Sequence, residues 1–518
     1  MKAIVNRRRL LRGMAASLGL PALIGRAAAS VGVRKPNILF ISIDDLNDFI
    51  APFSQPADPQ LGYPGVHTPN IARLAAMGTL FTRAYSHVPA CSPSRTATLL
   101  GATADRTGIY FNTQSWQDNA LGGADSLIGH FRRAGWSTAG AGKIFHRFDK
   151  DLRPSDWDEY WMPERYDDSY SHSSRPELSE LARAKPGHGK IDFGIGDGEG
   201  MRADTAVADW AAGDIGRYFA AGGRFQAVGF FRPHLPWIVG KEFFDLYPPE
   251  SLQIPPGFLP GANSFNDNAA DIDDLPPLAR KLIQASVGKR LNRTGEYWDF
   301  LRAYLASISF TDSRLGRVLD ALEASGEKHN TYIVLWSDHG WMLGEKLSFR
   351  KFTLWERALR VPLIIAGPGI RQQVVDQPVS LVDIFPTLTA LAGLDRPEWC
   401  NGQDLSALLT TGTPLENPAA ISIYGLERKK IENSRIFAKV QTSRWNYARY
   451  GEGQAELYDH ASDPHEWTNL FGTRPEFSPG APLIENMNRR IGWWPNDYIR
   501  PIRRAKRKAS GAGARSDG

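Results

Sequence analysis

Two short apolar runs that end abruptly in acidic residues constrain the fold of this chain most strongly. The run Ile38–Ile43 is closed by Asp44 and Asp45, and a second run, "IVLWS", is followed by Asp338 and His339. A continuous apolar run of this length is typical of a strand buried on both faces, as in a parallel sheet covered by helices. A third run, "RVPLIIAGPG", has the same character. We therefore expect these segments to form the centre of one large sheet.

Helical patterns separate the apolar runs, notably "YLASISFTDSRLGRVLDALEAS" and "VSLVDIFPTLTALAGL". Alternating strands and helices predict an α/β fold with a large mixed, mostly parallel sheet flanked by helices. From about Thr410 the pattern changes to short alternating pieces such as "SRIFAKVQTSRWNYARYG". These pieces predict a smaller C-terminal α+β domain that contains a short antiparallel sheet. We therefore expect a main domain over 35–410 and a smaller subdomain over 411–499.

The net positive charge of the chain belongs to its two ends. The formal net charge is +5, but residues 1–30 hold six Lys or Arg and no acid, and residues 500–518 hold seven against one acid. The remaining residues, 31–499, carry 48 basic and 55 acidic side chains. This balance argues against a nucleic-acid-binding face across the body of the protein. The tail over 500–518 is basic and polar, and we expect it to be disordered.

The first thirty residues have the pattern of a signal peptide. A basic start precedes an apolar run from Gly13 to Ile24, and Ala27–Ala29 provides small residues for cleavage. The apolar run is too short to span a bilayer. Arg7 and Arg8 resemble a twin-arginine export motif, and an ordinary secretory signal with an arginine-rich start is the alternative. We expect a periplasmic or secreted protein that uses the twin-arginine export machinery and has no transmembrane span.

The acids after the apolar runs predict a metal site. In an open parallel sheet, ligands bind beyond the carboxyl ends of the strands. If the two strands are neighbours, the carboxylates of Asp44, Asp45 and Asp338 converge, and such a cluster is tolerable only with a cation between them. A divalent metal is the simplest such cation. A turn or helix-cap role for each acidic pair is the alternative.

Basic residues and histidines follow other strand-like segments. Lys143 and His146 come after "GWSTAGAG", His234 stands in "FFRPHLPW", and Lys351 lies in "LSFRKF". Taken singly, each could be a surface lysine or a core histidine. Taken together, they are the cations and proton donors that a tetrahedral oxyanion such as sulfate or phosphate requires.

The chain has only two cysteines, Cys91 and Cys400. Two cysteines make no disulfide framework in an exported protein of this size. A lone cysteine is most often a small buried apolar residue, and we expect this of Cys400. Cys91 differs because it stands in the turn-like context "PACSPSRTATLLG".

These segments together resemble type I sulfatases of the alkaline phosphatase superfamily, on the iduronate-2-sulfatase-like side. The stretch "CSPSR" from Cys91 to Arg95 matches the Cys-x-Pro-x-Arg signature, and "GWSTAGAGKIFH" matches the second signature. "IDD", "SDHGWMLGE", "FRPHLPW" and "ELYDHASDPHEWTNL" match further family segments, in the family's order from about residue 35 to about 470. The resemblance implies an alkaline-phosphatase-like sheet and assigns the domain over 35–410 as catalytic.

The resemblance also implies a modified nucleophile and a metal. Cys91 would be oxidised to formylglycine by a formylglycine-generating maturation enzyme. A Ca²⁺ ion would be held by Asp44, Asp45, Asp338, His339 and the modified side chain of residue 91. His339 stands where many members have Asn, and imidazole is a less natural ligand for Ca²⁺ than oxygen, so Mg²⁺ or Mn²⁺ is the alternative.

The remaining roles follow from the same resemblance. Arg95 would steady the formylglycine, and Lys143 and Lys351 would hold the sulfate oxygens. His146 would help the aldehyde to reform, and His234 would protonate or contact the leaving oxygen. The signature has one departure, Leu100, which stands where most members have Thr and bears on the packing behind the turn.

We therefore expect an exported sulfatase that hydrolyses sulfate monoesters, with a sulfated saccharide as substrate. A phosphonate or phosphate ester hydrolase of the same superfamily is one alternative, because it can share the formylglycine signature. A non-catalytic saccharide-binding relative is the other, although a binding module has no use for a modifiable cysteine facing a metal. The segments "DWDEYWMPERYDD" and "SRWNYARY" could line the specificity pocket or pack as loops against the core.

Overall fold

The structure is a computed structural model of the chain. It describes residues 34–54, 61–147, 151–163, 177–178, 192–196, 199–427 and 433–492. The signal peptide predicted over 1–30 and the tail predicted over 500–518 lie outside the described residues. None of the helices in the described part of the chain combines the length and the apolar character that a membrane span requires.

The strands and α-helices are as follows. The strands are β1 Asn37–Ile43, β2 Gly78–Tyr85, β3 Ser137–Gly142, β4 Glu159–Trp161, β5 Glu177–Leu178, β6 Phe193–Ile195, β7 Arg224–Phe230, β8 Trp237–Val239, β9 Thr331–Ser337, β10 Met342–Leu343, β11 Phe349–Arg350, β12 Arg360–Ala366, β13 Gln373–Val375, β14 Val379–Ser380, β15 Ala419–Leu426, β16 Arg435–Thr442, β17 Trp445–Gly451 and β18 Gln454–Asp459. The α-helices are α1 Pro69–Ala75, α2 Cys91–Leu100, α3 Ala104–Thr107, α4 Leu127–Arg133, α5 Glu199–Tyr218, α6 Lys241–Phe244, α7 Pro277–Arg280, α8 Ser286–Thr294, α9 Tyr297–Ser325, α10 Glu356–Leu359, α11 Ile384–Leu391, α12 Ser406–Thr410 and α13 Pro482–Ile491.

The central sheet is mixed and mostly parallel. Its strand order is β13-β2-β12-β9-β1-β7-β3-β4, and β14 also pairs with β2. β1 runs parallel to both of its neighbours, β7 and β9, and β3 and β4 continue the parallel part. β12 is antiparallel to β9 and to β2. The predicted fold class is confirmed, although the antiparallel direction of β12 places its carboxyl end at the opposite edge of the sheet.

The sheet is buried on both faces, as the apolar runs predict. Along β1, Leu39 and Ile41 pack into one core cluster, and Ile38 and Phe40 pack into another. Helices α1, α5 and α9 contribute to the first cluster, and α2, α4 and α11 contribute to the second. Successive strand residues point to opposite faces, so a strand between two helical layers has no polar face.

The C-terminal region forms a separate antiparallel sheet in the order β15-β16-β17-β18. Helix α13 packs on it through Ile484 and Met487, which belong to one core cluster with Ile423. The sheet also joins the main body, because Ile423 N–H donates to the carbonyl oxygen of His87 at 2.7 Å. The predicted short antiparallel sheet is therefore confirmed.

Candidate active site

Cys91 is the first residue of helix α2, at the carboxyl-end edge of the central sheet. The preceding residue, Ala90, is extended (φ −157°, ψ 138°), so the chain turns into the helix at the cysteine itself. The next amide, Ser92 N–H, donates to Asn112 Oδ1 at 2.9 Å. A helix N-terminus favours negative charge, so this location suits a nucleophile that reacts as an anion.

The carboxyl end of helix α2 is packed against the second cysteine. Gly101 ends the helix in the left-handed region (φ 60°), and a Cβ there would lie 2.6 Å from Cys400 Sγ. Cys400 is buried beside this turn, which matches the packing role expected of it. Leu100, the departure from the signature, is fully buried in the core on this face of the sheet.

The register of β1 and β9 brings the predicted metal ligands together. Ile43, the last residue of β1, pairs with Ser337, the last residue of β9, so Asp44 and Asp338 emerge side by side. One donor atom from each of Asp44, Cys91, Asp338 and His339 lies within 4.8 Å of every other.

Asp45 completes the acidic cluster. His339 Nε2 lies 3.4 Å from Asp45 Oδ1, which brings this carboxylate next to the other four residues. Asp45 adopts φ 60°, an uncommon conformation for a residue other than glycine, and such backbone strain concentrates at functional sites. The Tyr304 hydroxyl donates to the Asp45 carbonyl oxygen at 2.8 Å and so holds this turn.

Arg95 links the two acidic strand ends from helix α2. Its Nε donates to Asp338 Oδ2 at 2.9 Å, and its second terminal nitrogen donates to Asp44 Oδ1 at 3.1 Å. Its other terminal nitrogen donates to the Lys143 carbonyl oxygen at 2.7 Å. All three charged side chains are buried. Arg95 therefore fixes the relative positions of β1, β9 and the segment after β3.

The two lysines converge on the same cluster. Lys143 follows β3 and its ammonium contacts Asp44 Oδ2. Lys351 follows β11, and its ammonium lies 2.6 Å from Asp45 Oδ1 and 2.9 Å from Cys91 Sγ. Both lysines are buried. Lys351 therefore places a positive charge beside the thiol, and Lys143 places a second one beside Asp44.

The two predicted histidines differ in how closely they approach the thiol. His234 follows β7, its Nδ1 lies 2.7 Å from the Leu235 carbonyl oxygen, and its Nε2 lies 3.8 Å from Asp45 Oδ2. Donor atoms of His234, Asp45 and Cys91 lie within 4.8 Å of one another. His146 is half-buried three residues beyond Lys143, and its Nδ1 has no hydrogen-bond partner among the described residues.

Burial and neighbouring charges shift the pKa values in this cluster in different directions. Burial, reinforced by Asp44 and opposed by Lys351, raises the pKa of Asp45 to about 7. Burial would also raise the pKa of Asp44, but the adjacent cations, Lys143 foremost, hold it well below its usual range. Burial would lower the pKa of His339, but the Asp338 carboxylate and then Cys91 outweigh burial and raise this pKa to about 8.

Burial and neighbouring positive charges also shift the pKa values of the thiol and of the two other histidines. Burial opposes ionisation of Cys91, but the neighbouring positive charges, Lys351 foremost and Lys143 with it, outweigh burial and lower the thiol pKa. Burial and then Lys143 lower the pKa of His146 to about 3 and that of His234 well below its usual range. Burial and the neighbouring cations therefore favour the neutral form of both imidazoles, and an anion bound among these cations would oppose this effect.

The cluster fits a hard divalent cation. It offers three buried carboxylates and one imidazole, and oxygen donors of this kind suit Ca²⁺, Mg²⁺ and Mn²⁺. Asp45 Oδ2 is buried without a hydrogen-bond partner among the described residues, a costly arrangement for a carboxylate oxygen unless a cation binds it. The donor set and this oxygen agree with the predicted metal site.

Three functional contacts were not identified from the sequence. Ser94 Oγ donates to the Asp338 carbonyl oxygen at 2.5 Å, and its place within the signature is the only sequence signal for it. Tyr304 lies in helix α9, where nothing in its context marks it. Arg357 contacts Asp48, four residues after Asp44, and donates to Glu345 Oε1 at 3.1 Å. Arg357, Asp48 and Glu345 therefore form a second group of buried charges close in sequence to the first.

Family models match most of the chain. A model described as sulfatase matches residues 36–394, and a model described as N-sulphoglucosamine sulphohydrolase, C-terminal, matches residues 344–491. A sulfatase of Formosa agariphila is 35% identical over 462 residues, which cover 84% of this chain and 83% of that protein. Iduronate 2-sulfatase of Mus musculus is 29% identical over 476 residues, covering 79% of this chain and 80% of that protein.

Solved structures share the fold. A protein solved in complex with its substrate, D-glucosamine-2-N,6-O-disulfate, superposes with a TM-score of 0.66 at 19% identity and covers 88% of this chain and 97% of its own. A phosphonate monoester hydrolase from Silicibacter pomeroyi gives a TM-score of 0.67 at 21% identity, with 88% and 93% covered. With the family models and the curated relatives, these likenesses establish that the chain belongs to the type I sulfatases of the alkaline phosphatase superfamily and is a sulfuric ester hydrolase.

Proposed function

We propose that this protein is an exported sulfatase that removes sulfate from saccharides, with formylglycine at position 91 as its nucleophile. The observation that carries the proposal is the surroundings of Cys91 Sγ, which lies 2.9 Å from Lys351 Nζ and 3.3 Å from His339 Nε2. A buried thiol between an ammonium and an acidic cluster has no packing purpose that a simple apolar residue would not serve better.

The proposed modification explains why a cysteine stands at the start of helix α2. An ordinary serine or cysteine that attacked a sulfate ester would remain sulfated, and a second difficult displacement at sulfur would be needed to clear it. A hydrated aldehyde supplies one hydroxyl as the nucleophile and a second that expels sulfate from carbon and restores the aldehyde. His146, neutral and with Nδ1 unpaired among the described residues, is the proposed base for the second hydroxyl.

The lysines are the proposed sulfate ligands. Lys143 contacts Asp44 and Lys351 contacts Asp45, and both lysines are buried. Charge that develops on the sulfate oxygens in the transition state is stabilised by donors already in place. Arg95 has a different proposed role, because its guanidinium hydrogen-bonds to two carboxylates and a backbone carbonyl and so positions helix α2.

The proposed metal ligands are Asp44, Asp45, Asp338, His339 and the modified residue 91. The oxygen-rich donor set supports Ca²⁺, with Mg²⁺ or Mn²⁺ as the alternative because His339 is a nitrogen donor. When bound, such a cation polarises the sulfate group and lowers the pKa of a neighbouring hydroxyl.

His234 is the proposed donor of a proton to the leaving oxygen. The Leu235 carbonyl oxygen accepts from Nδ1 at 2.7 Å and holds the ring so that Nε2 faces the cluster. Because Nδ1 keeps its hydrogen, Nε2 carries a transferable proton only in the imidazolium form, which the negative charge of a bound sulfate would favour. Sugar alkoxides are poor leaving groups, and a positioned acid typically accelerates their departure by about 10²–10⁴-fold.

Two parts of the proposal, that the substrate is a saccharide and that the protein is exported, have indirect support. Two of the similar proteins are named for sulfated sugars, iduronate 2-sulfatase and the protein solved with a glucosamine disulfate. The proposed export signal rests on the residues 1–30 alone.

A comparison of two leaving-group-matched substrates tests the function. The protein is produced together with a formylglycine-generating enzyme, and kcat/KM is measured for an aryl sulfate and for the corresponding aryl phosphonate monoester. We expect a larger kcat/KM for the sulfate and no turnover by the Cys91→Ala variant. A larger value for the phosphonate would favour a phosphonate hydrolase, and no turnover of either ester by fully converted protein would favour a binding relative.

A further inference from the structure

We propose that the cleft beside Lys351 is the subsite that holds the sugar ring of the substrate. The cleft has a volume of about 270 Å³ and is lined by residues that include Lys281, Gln284, Phe352, Tyr424 and Glu427. This inference rests on the proposed function, because it takes the sulfate to be bound at the lysine. It assigns substrate-binding roles to residues of the C-terminal sheet and of the segment that follows helix α7.

Two lining residues, Phe352 and Tyr424, connect the cleft to the reaction centre. Lys351 Nζ lies 2.9 Å from Cys91 Sγ and 5.8 Å from the ring centre of Phe352. The Phe352 ring in turn lies 5.7 Å from the ring of Tyr424, with an interplanar angle of 31°. Lys351, Phe352 and Tyr424 are therefore successive neighbours that lead from the thiol into the cleft, over a distance that a sugar attached to the sulfate would cover.

Glu427, another lining residue, also connects the cleft to the nucleophile. Glu427, an exposed residue directly after β15, accepts a hydrogen bond from the Thr113 hydroxyl. The neighbouring residue Asn112 accepts from Ser92 N–H at 2.9 Å. Ser92 follows the nucleophile in helix α2. Two separate chains of contacts therefore place the cleft beside residue 91.

The backbone at Phe352 indicates that the position of its ring is enforced. Phe352 has φ 76°, a conformation that bulky side chains rarely adopt. Its N–H donates to the Pro89 carbonyl oxygen at 3.2 Å, just before the signature. Strained backbone of this kind persists where the surrounding structure imposes it, and it clusters at ligand sites.

The lining suits a sugar ring rather than a purely apolar group. Sugar rings present C–H groups on their faces and hydroxyls on their edges, so they need aromatic surface together with hydrogen-bonding groups. Phe352 and Tyr424 supply the aromatic surface, Glu427 accepts from hydroxyls, and Gln284 and Lys281 can donate to them. Ligand sites commonly combine a mainly apolar lining with a few polar groups that set orientation.

The test compares two substrates in two variants and a matched control. Phe352→Leu removes the aromatic face, and Glu427→Gln removes the carboxylate. Glu416→Gln is the control, because Glu416 is an exposed acid just before the other end of β15. For each protein, with residue 91 converted to formylglycine, kcat/KM is measured for 4-nitrophenyl sulfate and for one sulfated disaccharide. That disaccharide is the one that the wild-type protein hydrolyses best in a chemically defined panel.

We expect both cleft variants to lower the ratio of the disaccharide kcat/KM to the aryl sulfate kcat/KM by about tenfold or more. We expect the ratio for Glu416→Gln to equal that of the wild type. An unchanged ratio in both cleft variants, or an equal loss on the two substrates, would overturn the subsite. Hydrolysis of the aryl sulfate but of no disaccharide would also overturn it, whereas hydrolysis of neither by converted wild-type protein would overturn the proposed function first.

Discussion

Replacing His234 with glutamine tests how the leaving group departs. Donor atoms of His234, Asp45 and Cys91 lie within 4.8 Å of one another, so Nε2 is close to the reacting atoms. Its ring is held through Nδ1, 2.7 Å from the Leu235 carbonyl oxygen. Glutamine keeps a polar side chain of similar reach but cannot deliver a proton.

The size of the effect depends on the leaving group. General acid catalysis contributes about 10²–10⁴-fold, or roughly 3–5 kcal/mol of activation free energy. A sugar alkoxide is a strong base and leaves only when it is protonated. For a sulfated saccharide we therefore expect kcat to fall by about 10²–10⁴-fold. A phenolate is a much weaker base, so we expect a loss of less than about tenfold for an aryl sulfate.

The assay is steady-state sulfate release from both substrates at saturating concentration. His329→Gln serves as the control, because His329 is exposed in the short segment between helix α9 and strand β9. The control should retain wild-type rates on both substrates, and the melting temperature of His234→Gln should stay near that of the wild type. Equal losses on the two substrates would show that His234 is not the proton donor, because a residue that only orders the metal site does not distinguish leaving groups.

Three further predictions concern the charges of the protein. Arg95→Met should lower the free energy of unfolding by about 3–5 kcal/mol, because Asp44 and Asp338 lose a buried partner; a urea titration that shows less than about 1 kcal/mol would contradict this. Glu356 is buried, but Arg360 and then His460 outweigh burial and lower its pKa to about 2. The charged form therefore stabilises the fold above pH 4.5, the ordinary value, and this stability is lost as pH falls towards 2. Glu356→Gln should be destabilised at pH 7 and progressively less so below pH 4.5, and urea titrations that show a constant difference between these pH values would oppose the assignment. Treatment with a strong chelator should abolish sulfate release, and added Ca²⁺, Mg²⁺ or Mn²⁺ should restore it, whereas full activity in metal-free protein by elemental analysis would exclude the metal.

Much of the site could be predicted because it follows from strand topology. Asp44 and Asp338 end strands that are buried on both faces, and parallel neighbours end at the same edge of a sheet. The same rule applies to Lys143 and His234, which follow β3 and β7 in the parallel part. Sequence alone therefore indicates which side chains converge whenever the strands that carry them are recognisable.

Other features depend on packing that local sequence does not encode. The direction of β12 follows from its partners β2 and β9, and its apolar run is compatible with either direction. Tyr304 reaches Asp45 from the interior of helix α9, where it has the same spacing as ordinary core residues. Phe352 and Tyr424 meet only because the C-terminal sheet docks beside the segment after β11.

The most direct test of the account is the relation between the chemical state of residue 91 and turnover. Peptide mass spectrometry measures the fraction of Cys91 converted to formylglycine in preparations made with different amounts of the maturation enzyme, and sulfate release is measured on the same samples. Turnover should rise in proportion to the converted fraction and extrapolate to zero in unconverted protein. Wild-type turnover by protein in which residue 91 is still entirely cysteine would contradict it.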